Sequence, residues 1–125
     1  MSINFEYDSD QNILLIRPVG EISSEEYSNL MKFELPSRNI PINTNAIWDL
    51  SEIDFSVLDI ELEREIIKER EKIDKERQGT KIALVSDYEL GEPILKMFLI
   101  LSESLSQEIR VLKTVAEARY WLSQD

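Results

Sequence analysis

The sequence contains neither cysteine nor histidine, and these two absences exclude several kinds of active site. Without cysteine the chain has no disulfides, thiol nucleophiles or thiolate metal ligands. Without histidine it has no Ser-His-Asp triad, and the commonest general base and zinc ligand is missing. Its three glycines are well separated and cannot build a glycine-rich phosphate loop. We therefore predict no metal site and no cofactor.

Positive charge is also scarce. The chain has 14 Lys and Arg against 25 Asp and Glu, which gives a formal net charge of −11. A protein that neutralises phosphates needs the opposite balance, so we predict that nucleic acid is not a partner. The excess of acid lies mainly in residues 1–58, which hold ten acids and three bases. A partner attracted by this field would carry a basic patch.

Long apolar runs are missing as well. No stretch approaches the ~20 residues of a membrane-spanning helix, and the first residues have neither the basic region nor the apolar segment of a signal peptide. These features predict a cytoplasmic protein. A length of 125 residues is typical of one domain, and we predict a single domain over residues 1–125.

Apolar residues are arranged so that strands alternate with helices. Residues 3–7 alternate apolar and polar side chains, and a polar turn separates them from the apolar run 13–16, which predicts an antiparallel hairpin. Further strands are predicted at 46–50, 81–86 and 109–112. The order β-β-α-β-α-β-α-β-α predicts an α/β fold: a mixed, mostly parallel sheet of about five strands with four helices.

Local signals mark the helix ends. Ser23 with Glu26, and Thr114 with Glu117, form capping boxes that predict two helix starts. Pro36 is predicted to stop the first of these helices. Residues 59–77 alternate acids and bases around a narrow apolar stripe, which predicts a long helix with one buried face.

The succession of these segments resembles the STAS domain of bacterial anti-sigma-factor antagonists, whose namesake is SpoIIAA. It is most similar to the uncharacterised SpoIIAA-like proteins grouped with STAS and SEC14-type domains. The segments that carry the resemblance are residues 16–27, 46–51, 53–55, 81–87 and 111–122. The resemblance implies the SpoIIAA-like fold and a regulatory role through protein–protein contact.

The family's regulatory feature is a phosphorylatable serine in an Asp-Ser-Ser-Gly turn after the third strand. Here Val57, Leu58 and Asp59 occupy the positions of the Asp and the two Ser, so this turn is absent. Ser56 lies next to it, out of register. We interpret Ser56 either as the N-cap of the following helix or as a displaced phosphorylation site.

Polar residues follow three of the predicted strands. Asp49, Asp54 and Asp87 come at or just after strand ends, where α/β sheets bind ligands, and paired carboxylates there are compatible with acid–base chemistry or a magnesium ion. Turn and cap roles explain the same residues. Tyr88 and Leu90 lie in the loop before the third helix, as exposed partner anchors or as packing residues.

These observations support three hypotheses. The first is a non-enzymatic, cytoplasmic protein–protein interaction module, whose candidate regulatory or partner surface is Asp54, Ser56, Asp87, Tyr88 and Leu90. The second is a binder of a small apolar or lipid-like ligand held along the stripe Met97, Phe98, Leu101 and Leu105. The third is a carboxylate-based or metal-dependent enzyme. Leu99 and Ile100 lie off that stripe, and we predict a homodimer through them if both are exposed.

Overall fold

A five-stranded sheet forms the centre of the molecule. The structure is a computed structural model that describes residues 2–87 and 89–124. The strands are β1 (Ser2–Asp8), β2 (Ile13–Val19), β3 (Asn45–Asp49), β4 (Lys81–Val85) and β5 (Glu108–Leu112). They lie side by side in sequence order; β1 and β2 are antiparallel, and β2 to β5 are parallel. The predicted mixed, mostly parallel sheet is confirmed.

Four helical segments follow strands β2 to β5. The first comprises α1 (Ser24–Asn29), a π-helix (Leu30–Glu34) and α2 (Leu35–Ser37) without a break. The others are α3 (Ile60–Lys72), α4 (Glu92–Leu101) and α5 (Val115–Leu122), and short 3₁₀ turns at Phe55–Val57 and Glu89–Gly91 precede α3 and α4. In the described residues no helix is long and apolar enough to cross a membrane.

The two faces of the sheet are covered unequally. On one face, Ile16, Trp48 and Leu84 pack with apolar residues of α1 to α4 in the larger core. On the opposite face, residues such as Ile47 and Val85 pack with α5 in a smaller core. This division follows from the period-2 alternation along each buried strand. The face covered by α1 to α4 contains the candidate site.

Side-chain caps fix two helix starts as predicted. The Ser23 hydroxyl accepts a hydrogen bond from the Glu26 amide at 3.1 Å, and the Thr114 hydroxyl accepts one from the Glu117 amide at 3.1 Å. Each bond satisfies an amide that has no partner within the helix.

The prediction that Pro36 stops the first helix is wrong. Helical backbone continues through Pro36 to Ser37 in α2, and the π-helix ends at Glu34, directly before α2. In that segment the Leu35 amide donates to Leu30 O, five residues back. A regular helix would place the proline ring against a carbonyl four residues earlier, and the wider turn relieves this clash.

The predicted helix over residues 59–77 is also shorter than expected. It begins after Asp59, whose side chain accepts from the Leu62 amide, and ends at Lys72. Hydrogen-bonded turns follow, and they bring Arg77 into the core, where its Nη2 donates to Thr44 O at 3.1 Å. If α3 continued, the chain would not turn at this point and Arg77 would not reach the core. The early end of α3 therefore accompanies the burial of Arg77.

We predict that Gly79→Ala lowers the free energy of unfolding by about 1 kcal/mol, because Gly79 has φ +85°, a conformation that strains other residues. Nothing lies within 4 Å of a Cβ added there, so the cost is one of backbone conformation. Gly79→Asn is the matched control and should cost less, since asparagine tolerates this region better. Urea unfolding measures both variants; equal losses would contradict this explanation.

Candidate functional site

A cavity of about 60 Å³ lies between the sheet and helices α1, α3 and α4. Its walls are almost entirely apolar and include three aromatic rings. Two of them, Tyr27 and Trp48, are stacked with their centroids 5.8 Å apart, and Phe98 of α4 is the third. At ~10–15 Å³ per water, the cavity has room for about four waters or for a molecule of similar size.

The outer end of the cavity lies beyond the carboxyl ends of β2 and β3. Three wall residues, Ile22, Ile53 and Leu58, are partly exposed, and all follow these strands. Backbone hydrogen bonds join the two segments: Gly20 N donates to Glu52 O at 2.9 Å, and Asp54 N donates to Gly20 O at 2.8 Å. Ligands of open α/β sheets bind at this end of the strands.

A close contact joins the loops that follow β3 and β4. The Phe55 ring packs against Gly91, where an added Cβ would come within 2.8 Å of the ring. Any side chain at position 91 would push the ring away. The contact therefore holds the start of α4 against the 3₁₀ turn beside the cavity.

Glu63 is a buried carboxyl group in the wall of this apolar cavity. The residue is 2% exposed, and its Oε1 has no hydrogen-bond partner among the described residues. Burial, together with the negative charge of Asp59, raises the pKa of Glu63 to about 7. The carboxyl group is thus half protonated near neutral pH, and it can donate or accept a hydrogen bond.

Arg70 is a buried guanidinium two turns further along α3. Its Nη2 donates to Gln107 Oε1 at 2.5 Å, and Gln107 Nε2 donates to Asp74 at 3.4 Å. The Nε–H of Arg70 has no partner among the described residues, and burial lowers the pKa of Arg70. The cavity wall thus carries a carboxyl group and a guanidinium about 10 Å apart along the helix axis.

The structure places Asp54 and Ser56 beside the outer end of the cavity. Asp54 caps the 3₁₀ turn: it accepts hydrogen bonds from the amide and the hydroxyl of Ser56, and these bonds lower the pKa of Asp54. The interpretation of Ser56 as the N-cap of α3 is wrong, because Asp59 occupies that position. Ser56 is exposed, and its use as a phosphorylation site stays a prediction.

Asp49 and Asp54 are held by different partners. Asp49 lies on the face covered by α5, where its Oδ2 accepts from Arg17 Nε at 3.0 Å. Burial alone would raise the pKa of Asp49, but hydrogen bonds from Ser51 and Arg17 lower it. Asp87 is exposed. Within residues 2–87 and 89–124, no three acidic side chains are grouped as metal ligands would be.

The remaining predicted site residues lie in the loop before α4. Tyr88 is outside the described residues. Leu90 belongs to the 3₁₀ turn Glu89–Gly91, which places its backbone at the same end of the sheet as Ser56. The use of this end as a partner surface stays a prediction.

Glu63 and Arg70 were not predicted as site residues, because the charged side chains of residues 59–77 were interpreted as the solvent-exposed side of a helix with one buried face. The spacing of the residues in this segment contained a signal that could have identified them. Glu63, Ile66, Ile67 and Arg70 follow the i, i+3, i+4, i+7 pattern of one helix face, and all four are buried. The apolar stripe predicted from the sequence consisted of Leu58, Leu62, Ile66 and Ile73. It omitted Ile67, so the predicted buried face was too narrow.

Comparison with solved structures identifies the fold. An uncharacterized protein from the DUF3478 family with a SpoIIAA-like fold, from Shewanella loihica PV-4, superimposes with a TM-score of 0.65 at 20% identity, over 97% of this chain and 92% of that chain. The chain has a SpoIIAA-like fold. The protein TM1081, solved by NMR, matches with a TM-score of 0.62 at 18% identity, over 97% of this chain and 88% of that chain.

Comparison at the level of sequence adds no relative. None of the protein-family models matches the chain, and neither does any curated protein. The predicted SpoIIAA-like fold is therefore confirmed through three-dimensional similarity.

We predict that Glu63 makes the protein less stable as pH rises from about 4.5 to 7. The folded state keeps a proton on Glu63 in this window while the unfolded state has released it. At pH 8, Glu63→Gln should therefore be more stable than the wild type by on the order of 3 kcal/mol. At pH 4.5 the difference should be small. Urea unfolding of both proteins between pH 4.5 and 8 measures it.

Glu61→Gln is the matched control for this comparison. Glu61 lies on the same helix but is exposed, so the substitution changes charge without changing a buried group. A Glu63→Gln curve that stays parallel to the wild-type curve would contradict the assignment of this pH dependence to Glu63.

Proposed function

We propose that this domain is a non-enzymatic binding module for a small molecule that has an apolar body and one hydrogen-bond donor. The observation that carries the proposal is the buried Glu63 carboxyl group in a mostly apolar cavity wall, where its Oε1 has no hydrogen-bond partner among the described residues. A buried polar group without a partner costs free energy, and a bound donor would remove that cost. The aromatic walls would contact the apolar body.

The size of the cavity limits the ligand. Drug-sized ligands occupy pockets of ~300–1,000 Å³, and this cavity measures about 60 Å³. The proposal therefore concerns molecules of a few non-hydrogen atoms, a narrower class than the apolar or lipid-like ligand expected from the sequence. Ile22, Ile53 and Leu58 would form the entrance, because they are the partly exposed wall residues.

The proposal assigns no catalytic step. Asp54 is engaged by Ser56, and Asp49 is engaged by Arg17. Asp59, the acid whose charge acts on Glu63, is engaged as the cap of α3. A catalytic role would need, besides an acid or a base, groups that orient a substrate and stabilise the charge that develops on it. Binding without chemistry is therefore the function that this arrangement supports best.

A second candidate is the protein-interaction module suggested by the resemblance. On α4, Met97 is 40% exposed and Ile100 is 58% exposed, and they lie one turn apart on one side of the helix. Exposed apolar residues grouped in this way favour contact with a protein. In this role the domain would be a cytoplasmic regulator, and its partner would carry a basic patch to match the net charge of −11.

We predict that imidazole, isobutanol and acetamide, used as small donor probes, raise the melting temperature in a concentration-dependent way. Each has a small apolar body and an N–H or O–H group for Glu63. Glu63→Leu should abolish the shift and raise the melting temperature of the ligand-free protein, because it removes a buried unpaired acid. Differential scanning fluorimetry at pH 8 measures both effects.

Glu61→Leu, on the exposed side of α3, is the control and should keep the response of the wild type. Equal shifts in the wild type and in Glu63→Leu would contradict the proposed site. Native mass spectrometry of freshly purified protein provides a second test, since a copurified small molecule would appear as added mass that Glu63→Leu lacks.

A further inference from the structure

The outer edge of β5 has backbone groups without partners. Glu108 N donates to Thr80 O at 3.1 Å, and Leu112 O accepts from Ser86 N at 3.0 Å, so both residues bond towards β4. In a parallel ladder the residues between them direct their N–H and C=O groups away from that neighbour. The backbone groups of Ile109 and Val111 therefore face outwards. Among the described residues, no other strand, loop or side chain bonds to them.

The side chains along this edge differ between its two faces. On the face towards α4, Ile109 is half-buried and lines a groove with Leu99, Ile100 and Leu105. On the opposite face, Glu108 and Arg110 are exposed and carry opposite charges two residues apart. Unpaired backbone beside an apolar groove is the kind of edge to which another strand can add.

We propose that β5 pairs in antiparallel fashion with β5 of a second copy of this chain, with Ile109 opposite Ile109 at the two-fold axis. The outward backbone groups of the two Ile109 residues would then bond to each other. Glu108 of each chain would lie opposite Arg110 of the second copy, so that two ion pairs form across the axis. The two sheets would join into one of ten strands.

The charge pattern distinguishes this register from its neighbours. Centring the axis on Arg110 would place the two Arg110 side chains opposite each other, and like charges in this position are destabilising. Centring it on Val111 would place Arg110 opposite Leu112 and leave Glu108 without a partner. If the pairing shifted by one residue, Ile109 would lie opposite a residue whose backbone groups already bond to β4. The hydrogen bonds between the two chains could then not form. Only the Ile109 register pairs both charges. In this register the outward backbone groups of Ile109 bond across the axis, and those of Val111 face the backbone of Gln107 in the second copy.

This dimer is separate from the proposed ligand site. The groove beside Ile109 lies on the β5 side of α4, whereas the cavity lies between the sheet and helices α1, α3 and α4. The predicted homodimer required both Leu99 and Ile100 to be exposed; Ile100 is exposed, but Leu99 is half-buried. The proposed dimer would bring both residues close to the axis. It gives that homodimer a defined strand pairing.

Sedimentation equilibrium tests the proposal with charge reversals. The wild type should form a dimer. Glu108→Arg and Arg110→Glu should each weaken it by about tenfold or more, because each makes both cross-axis pairs repulsive. An equimolar mixture of the two variants should form a heterodimer, since every pair then joins opposite charges. The double variant should regain the homodimer.

Two controls separate pairing from general effects. Glu6→Arg makes the same charge change at an exposed position on β1, at the opposite edge of the sheet, and should leave the dimer unchanged. Arg110 also lies 4.9 Å from the Trp121 ring, and its replacement removes this cation–π interaction in the single and the double variant alike. Circular dichroism must therefore show that both variants are folded. A wild type that stays monomeric at high concentration overturns the proposal. So does a dimer that neither reversal weakens.

Discussion

The parallel strands are added to the sheet in one direction, and this constraint determines where the helices and the cavity lie. Strands β2 to β5 are neighbours in sequence order, so each crossover moves the same way. Because such crossovers are right-handed, the helices between them all fall on one face. The other face is left to α5, which follows the last strand. The cavity lies on the face of the sheet against which α1, α3 and α4 pack.

The middle of this helix layer contains charged groups as well as apolar ones. Arg70 and Arg77 are among the largest fully buried side chains, and each is held by polar groups rather than by a direct carboxylate partner. Arg70 reaches Asp74 through Gln107, which ties the end of α3 to the segment before β5. Each arginine still has an Nε–H without a partner, but its Nη atoms are bonded, whereas no hydrogen bond to Glu63 Oε1 is made by the described residues. This difference separates a structural buried charge from a candidate binding group.

Most of the fold could be predicted from sequence because it depends on local periodicity. Alternating apolar residues gave the strands, and side-chain caps at Ser23 and Thr114 gave two helix starts. The errors involve tertiary contacts. Burial of Arg77 goes with an early end to α3, and a π-helix lets the chain continue past Pro36. Glu63 and Arg70 were missed because charged side chains are usually exposed, and only packing shows that these two are not.

The π-helix at Leu30–Glu34 also bears on how the length of this segment can vary. Its hydrogen bonds span five residues, so the wide turn holds one residue more than a regular helix of similar rise. Deleting one residue there would convert it to a regular turn. Tyr27 before it and Leu35 after it are both buried against the same core. A sequence one residue shorter could therefore keep this packing only if Pro36 were replaced as well, because a regular turn would bring back the clash of the proline ring.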